Sequence, residues 1–134
     1  MSQTIVKSVK DLVAEANAKI QTISLAEAEG LLSSSKHVFV DLRDIRELQK
    51  TGKIPNAFSC PRGMLEFWID PQSPYHKEIF NQDKTYIFYC ASAWRSALST
   101  LTAQEMGLTP VCHLEGGFSA WQKAGLPIEE MPKR

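Results

Sequence analysis

Cys90 sits where an apolar run meets a run of small residues, in Tyr86-Ile87-Phe88-Tyr89-Cys90-Ala91-Ser92-Ala93-Trp94-Arg95-Ser96. The β-branched and aromatic residues before it predict a strand, and the pattern from Ala97 to Met106 predicts a helix. Cys90 therefore opens a short loop that feeds a helix start. Backbone N–H groups there have no intrahelical partner and, with the helix dipole, favour an anion. A thiol in such a place ionises more readily and attacks better. Arg95, close to the same helix start, can fork onto a bound oxyanion. The competing reading is a buried structural thiol, a common fate of free cysteine. The three small residues after Cys90, which cannot crowd a ligand, favour the reactive reading. No general base is marked out, because His37 precedes a strand, His76 lies in a long connection and His113 lies inside a strand.

The elements that must position this loop follow from periodicity. Residues 4–20 carry Ile5, Val6, Val9, Leu12, Val13, Ala16 and Ile20 at helical spacing and predict an amphipathic helix. Ser24-Leu25-Ala26-Glu27 reads as a capping box before a second helix that Ser33-Ser34-Ser35 ends. His37 to Val40 predicts a strand that is apolar on both faces, as in a helix-covered parallel sheet. Asp41-Leu42-Arg43-Asp44 leaves its end, a short helix runs from Ile45 to Lys50, and Ala57 to Ser59 is a short strand. Met64 to Ile69 and Tyr75 to Phe80 predict two short helices in the long connection. Thr85 to Tyr89 and Pro110 to Leu114 are further strands, Gly107 is a helix C-cap, and Phe118 to Lys123 is a last short helix. The alternation implies an α/β domain with a mostly parallel sheet. Ligands in such sheets sit beyond the carboxyl ends of the strands, so the loops at Asp41, Cys90 and Glu115 are expected to converge on one rim.

Bulk properties narrow the function classes. The chain has 134 residues, enough for one domain with a real core. Fifteen basic residues balance fifteen acidic ones, which argues against a nucleic-acid surface or a generic polyanion partner. No apolar run approaches a membrane span, and the N-terminus lacks the order of a secretory signal. Cys60, Cys90 and Cys112 are odd in number, widely spaced and without a C-x-x-C pair. Free thiols in a reducing cytoplasm are expected, with no metal and no cofactor.

Four separated motifs now come together: the cysteine loop, Val40-Asp41-Leu42-Arg43, Gly52-Lys53-Ile54-Pro55-Asn56-Ala57, and Leu114-Glu115-Gly116-Gly117-Phe118-Ser119-Ala120-Trp121. In this order they resemble the rhodanese family of sulfurtransferases over about residues 22–128. The resemblance implies a three-layer α/β domain whose mostly parallel sheet is covered by helices on both faces. Residues 1–21 would then form a packing extension and residues 129–134 a tail. It also implies a strand near Thr22-Ile23, and a thiosulfate sulfurtransferase activity. Cys90 takes the outer sulfur of thiosulfate or a persulfide donor, becomes a persulfide, and passes it to cyanide, a thiol or a protein acceptor. By the same resemblance Ala91, Ser92, Ala93, Trp94 and Arg95 complete the active-site loop around the sulfur. Asp41 and Arg43 support the rim, with Glu47 paired to Arg43 or to another motif arginine. Arg62, which opens the long connection, is a candidate substrate contact, and Cys60 a candidate resolving thiol. The chain is expected to be a monomer or homodimer.

Three positions depart from the family pattern. A glycine is common where Ala93 stands, a histidine where Lys53 stands, and a proline–glycine pair where Pro55-Asn56 stands. Ala93 is expected to strain the turn, whereas asparagine tolerates turn geometry. Two alternatives compete with sulfur transfer. One is a cysteine-dependent phosphatase or arsenate reductase, since related phosphatases share the fold but place five residues between cysteine and arginine. Here there are four, which suits a sulfur better than a larger tetrahedral phosphate. The other is a non-catalytic binding or regulatory module, against which the presence of Cys90 speaks.

Overall fold

The computed structural model describes residues 2–132. Five strands form one sheet in the order β1-β5-β4-β2-β3, comprising β1 (Gln21–Ile23), β2 (His37–Asp41), β3 (Phe58–Ser59), β4 (Thr85–Tyr89) and β5 (Val111–Leu114). Every pairing between these strands is parallel. Among the described residues the α-helices are α1 (Val9–Asn17), α2 (Leu25–Glu29), α3 (Ile45–Thr51), α4 (Leu65–Ile69), α5 (Trp94–Met106) and α6 (Gly117–Lys123). No helix among the described residues is long and apolar enough to cross a membrane.

Alternation along the strands sorts the core into two layers. Ile87 and Tyr89 of β4, Phe39 of β2, and Cys112 and Leu114 of β5 pack with Ala28, Phe118 and Trp121 of α2 and α6. Tyr86 and Phe88, with Val40 and Val111, face the other way and pack with Leu65 and Ile69 of α4 and Ala103 of α5. Both faces of the sheet are therefore covered, as the apolar strands require.

Helix starts carry the signals expected of them. Ser24 and Glu27 close a capping box at α2, Asp44 and Glu47 another at α3, and Ser8 and Asp11 a third at α1. That third box corrects the first predicted helix, which begins at Val9 and not at residue 4. Ile5 and Val6 precede it and are exposed, and only Val13 and Ala16 of α1 are buried, against Ala97 of α5. In the long connection, Tyr75 to Phe80 shortens to a single 3-10 turn at Glu78–Phe80, and another 3-10 turn, Arg62–Met64, leads into α4.

Candidate active site

The sheet register brings three loops to one rim. Asp41 pairs with Tyr89 across β2 and β4, and with Ser59 across β2 and β3. The ladder runs on into the loops, with Leu42 N–H donating to Tyr89 O at 2.9 Å and Glu115 N–H to Ile23 O at 2.9 Å. The convergence expected of Asp41, Cys90 and Glu115 is present.

Cys90 is buried at the end of β4, and its Sγ accepts the N–H of Ser96 at 3.3 Å. Ser96 is the third residue of α5, whose N-cap Ala93 offers no side-chain bond. The sulfur thus does what a capping side chain would do for that orphan donor. Ala93 has φ 71° and ψ 5°, a left-handed conformation that costs a non-glycine residue about 1–2 kcal/mol. The strain expected at this position is real, and it is stored in the loop that surrounds the sulfur.

The far side of the loop is held by β5 and α6. Phe118 N–H donates to Cys90 O at 2.7 Å and Ser119 N–H to Ala91 O at 3.0 Å. These bonds need close approach: a Cβ on Gly117 would lie 2.6 Å from Cys90 O and 2.7 Å from Ala91 O. The Gly116-Gly117 turn is therefore a clamp on the cysteine loop.

The two rim arginines differ. Arg43 and Asp41 are both buried, with Arg43 Nη2 donating to Asp41 Oδ2 at 2.8 Å and Nε to Oδ1 at 3.0 Å. The guanidinium also donates to Thr51 Oγ1 and Gly52 O, and stacks over Phe118 at 4.2 Å. Arg95 instead forks onto Glu47, Nη1 to Oε2 and Nη2 to Oε1, each at 2.9 Å. This settles Glu47's partner as Arg95 and not Arg43. The bonds from Arg95 hold the Glu47 carboxyl down at about 2, and the same bonds raise Arg95 above its ordinary value. The Arg95 fork, read from sequence as free for an oxyanion, is engaged.

Arg62 is likewise engaged, with both Nη atoms on Glu66 at 2.9 and 3.3 Å. Trp94 is half exposed, as are Phe67 and Tyr75, whose rings meet edge to face. Cys60 does not suit a resolving role. It is fully buried in the core with Val40, Leu42 and Leu65, and burial pushes its thiol up to about 12. A thiol so held is a poor attacking group. Cys112 occupies the buried strand position expected, and burial raises its thiol to about 11.

Lys53 donates to Ala57 O at 2.7 Å and lies 3.6 Å from Glu129. Asn56 takes φ 66°, the turn geometry asparagine tolerates. Two supports were not legible as such. The Tyr89 hydroxyl accepts Ile54 N–H at 3.1 Å, and Ser96 Oγ lies 2.9 Å from Nδ1 of buried His113. A polar residue in an otherwise apolar strand was the available signal for His113, because buried polar groups need partners. Among the described residues, no cluster of three or more His, Cys, Asp or Glu side chains could hold a metal ion.

The chain is thus a parallel α/β protein with a cysteine at the end of its central strand, in a loop clamped by a glycine turn. The family model for the rhodanese-like domain matches residues 24–124, and the chain belongs to that family. A structure from Rhodopseudomonas palustris, described as a protein of unknown function and possible tyrosine phosphatase, is 58% identical over 96% of this chain and 99% of its own, with TM-score 0.93. Thiosulfate sulfurtransferase 16 of Arabidopsis thaliana is 31% identical over 87% of this chain and 99% of its own. An uncharacterized protein of Synechocystis is 37% identical over 66% of this chain, which spans 46% of that protein's length.

Proposed function

We propose that the chain is a sulfurtransferase working through a Cys90 persulfide. The Cys90 thiolate attacks the outer sulfur of thiosulfate, the S–S bond of the donor breaks, and sulfite leaves with the electron pair. A thiophile such as cyanide then attacks the terminal sulfur, leaves as thiocyanate, and restores the thiolate. Charge and atoms balance in both steps, and no redox partner is needed. The observation that carries this reading is the short loop. Four residues separate Cys90 from Arg95, whose fork is already spent on Glu47, and this supports a single sulfur over a larger tetrahedral phosphate as the group bound at the loop. A physiological donor could equally be another persulfide, since the reacting unit is the same sulfane sulfur.

One observation favours the phosphatase alternative: the 58% identical relative is described as a possible tyrosine phosphatase, a more direct pointer to activity than the more distant thiosulfate sulfurtransferase gives. Phosphoryl transfer would need the Arg95 fork to leave Glu47 and take the phosphate. Two assays on the full chain separate the readings. Thiosulfate should add one sulfur to Cys90 by intact mass, cyanide should remove it, and Cys90→Ser should abolish both. Hydrolysis of an aryl phosphate by the wild type, lost in Cys90→Ser and with no persulfide formed, would overturn the sulfur reading.

A further inference from the structure

A chain of polar groups, exposed at Asn17 and Thr22 and buried at His113 and Ser96, ends at Cys90. Ser96 N–H donates to Cys90 Sγ, and Ser96 Oγ lies 2.9 Å from His113 Nδ1. On the other side of the ring, His113 Nε2 lies 3.1 Å from Asn17 Oδ1 and 3.0 Å from Thr22 Oγ1. Both Ser96 and His113 are buried. The partners assign the proton. The Asn17 carbonyl oxygen can only accept, so Nε2 carries the hydrogen and Nδ1 is bare, accepting from the Ser96 hydroxyl. Burial supports the same neutral ring by pulling it down to about 4.

Such an anchor answers a need of the site. Helix α5 begins on a strained left-handed residue with no capping side chain, and a helix start so made frays unless something pins it. We infer that His113 is a positioning residue for Cys90, holding the Ser96 N–H on the sulfur through the Ser96 hydroxyl. Asn17 and Thr22 fix the ring, which makes α1 and β1 part of the site's support although both residues precede the family match at 24–124. The inference rests on Cys90 being the reacting atom of the proposed function. It concerns the sulfur itself, whatever the donor.

The test is the rate at which iodoacetamide alkylates Cys90 at pH 7 in the full chain, followed by peptide mass. Alkylation needs no sulfur donor, so a failure of the thiosulfate reading leaves this measurement intact. Ser96→Ala keeps the backbone N–H but removes the hydroxyl that ties it to His113, and should slow alkylation about tenfold if the N–H then leaves the sulfur. His113→Leu should do the same, whereas His113→Asn, whose side-chain oxygen can accept from Ser96, should stay within about twofold of wild type. Asn17→Ala should fall between, slowed about threefold, since it loosens the ring without removing it. Unfolding exposes the thiol and speeds alkylation, so a misfolded variant cannot imitate the expected slowing. Should His113→Leu lose its fold, Ser96→Ala decides, because alanine suits a helix position. Wild-type alkylation rates in a folded Ser96→Ala protein, or equal slowing in His113→Asn and His113→Leu, would overturn the inference.

Discussion

Asp41–Arg43 and Glu47–Arg95 are the same chemistry in opposite surroundings. Each is an arginine forked onto a carboxylate beside the strand end that feeds the site. The side chains of the first pair are 3% and 0% exposed, those of the second 40% and 32%. In the dry rim, Asp41 cannot be spared without stranding a cation, and Arg43 spends its other donors on Thr51 and Gly52 O. It thereby ties the end of β2 to the end of α3. The wetter pair spans α3 and α5 at the mouth of the cysteine loop, where water can replace either partner at small cost. One pair is mortar, and the other is a contact that water can open.

The sharpest way to break the comparison is Asp41→Asn. The amide keeps the shape but leaves the Arg43 charge buried and unbalanced, which costs about 3–5 kcal/mol. Urea unfolding should show that loss as a much lower midpoint with the slope unchanged. A loss under about 1 kcal/mol would put the rim pair in the same class as the exposed one.

How much of this was legible follows the same divide between local and long-range chemistry. The strands from Thr85 to Tyr89 and at β5, the Ser24 capping box, the Gly107 cap and the Cys90 loop are written in adjacent residues, and all are present. The rim supports Asp41 and Arg43 are two residues apart and bond to each other. What sequence could not show were partners brought from afar. Glu47 and Arg95 lie 48 positions apart, so pairing by periodicity could not choose between Arg43 and Arg95. His113 looked like one more strand residue because Asn17 and Thr22 are 96 and 91 positions away. Periodicity overextends the first helix because Ile5 and Val6 fit it, while the Ser8 cap, a purely local signal, starts the helix at Val9.

The rim holds buried charge only as a pair, and the buried His113 ring has no ionic partner among the described residues. Its hydrogen-bonding neighbours Asn17, Thr22 and Ser96 do not titrate. Unfolded, the ring takes a proton near 6.5, whereas folded it does so near 4. Between those values the unfolded chain binds the extra proton, so stability rises with pH. The contribution is complete above pH 6.5, is lost as pH falls toward 4, and is constant below. The loss is on the order of 3 kcal/mol. In unfolding curves taken as pH falls across that window, wild type should lose this amount of stability relative to His113→Asn, groups common to both cancelling. Parallel curves would mean that the folded ring already takes its proton near the unfolded value.

The smallest effect on stability is expected at the exposed pair. Glu47 is depressed to about 2 by Arg95, so the pair's stabilisation is present above the ordinary carboxylate value and is lost only as pH falls toward 2. With the two side chains 40% and 32% exposed to water, that stabilisation is about 0.2–1 kcal/mol. Glu47→Gln should therefore leave the urea midpoint nearly unmoved at pH 7. Its effect should appear in binding. Under the proposed sulfur transfer, removing the carboxylate releases the Arg95 fork and adds a net positive charge at the loop, which should lower KM for thiosulfate about threefold with kcat little changed. Arg95→Ala should move KM in the opposite direction. If Glu47→Gln raised KM instead, Glu47 would be holding Arg95 in its working position, and the exposed pair would be as much a fixture of the site as the buried one.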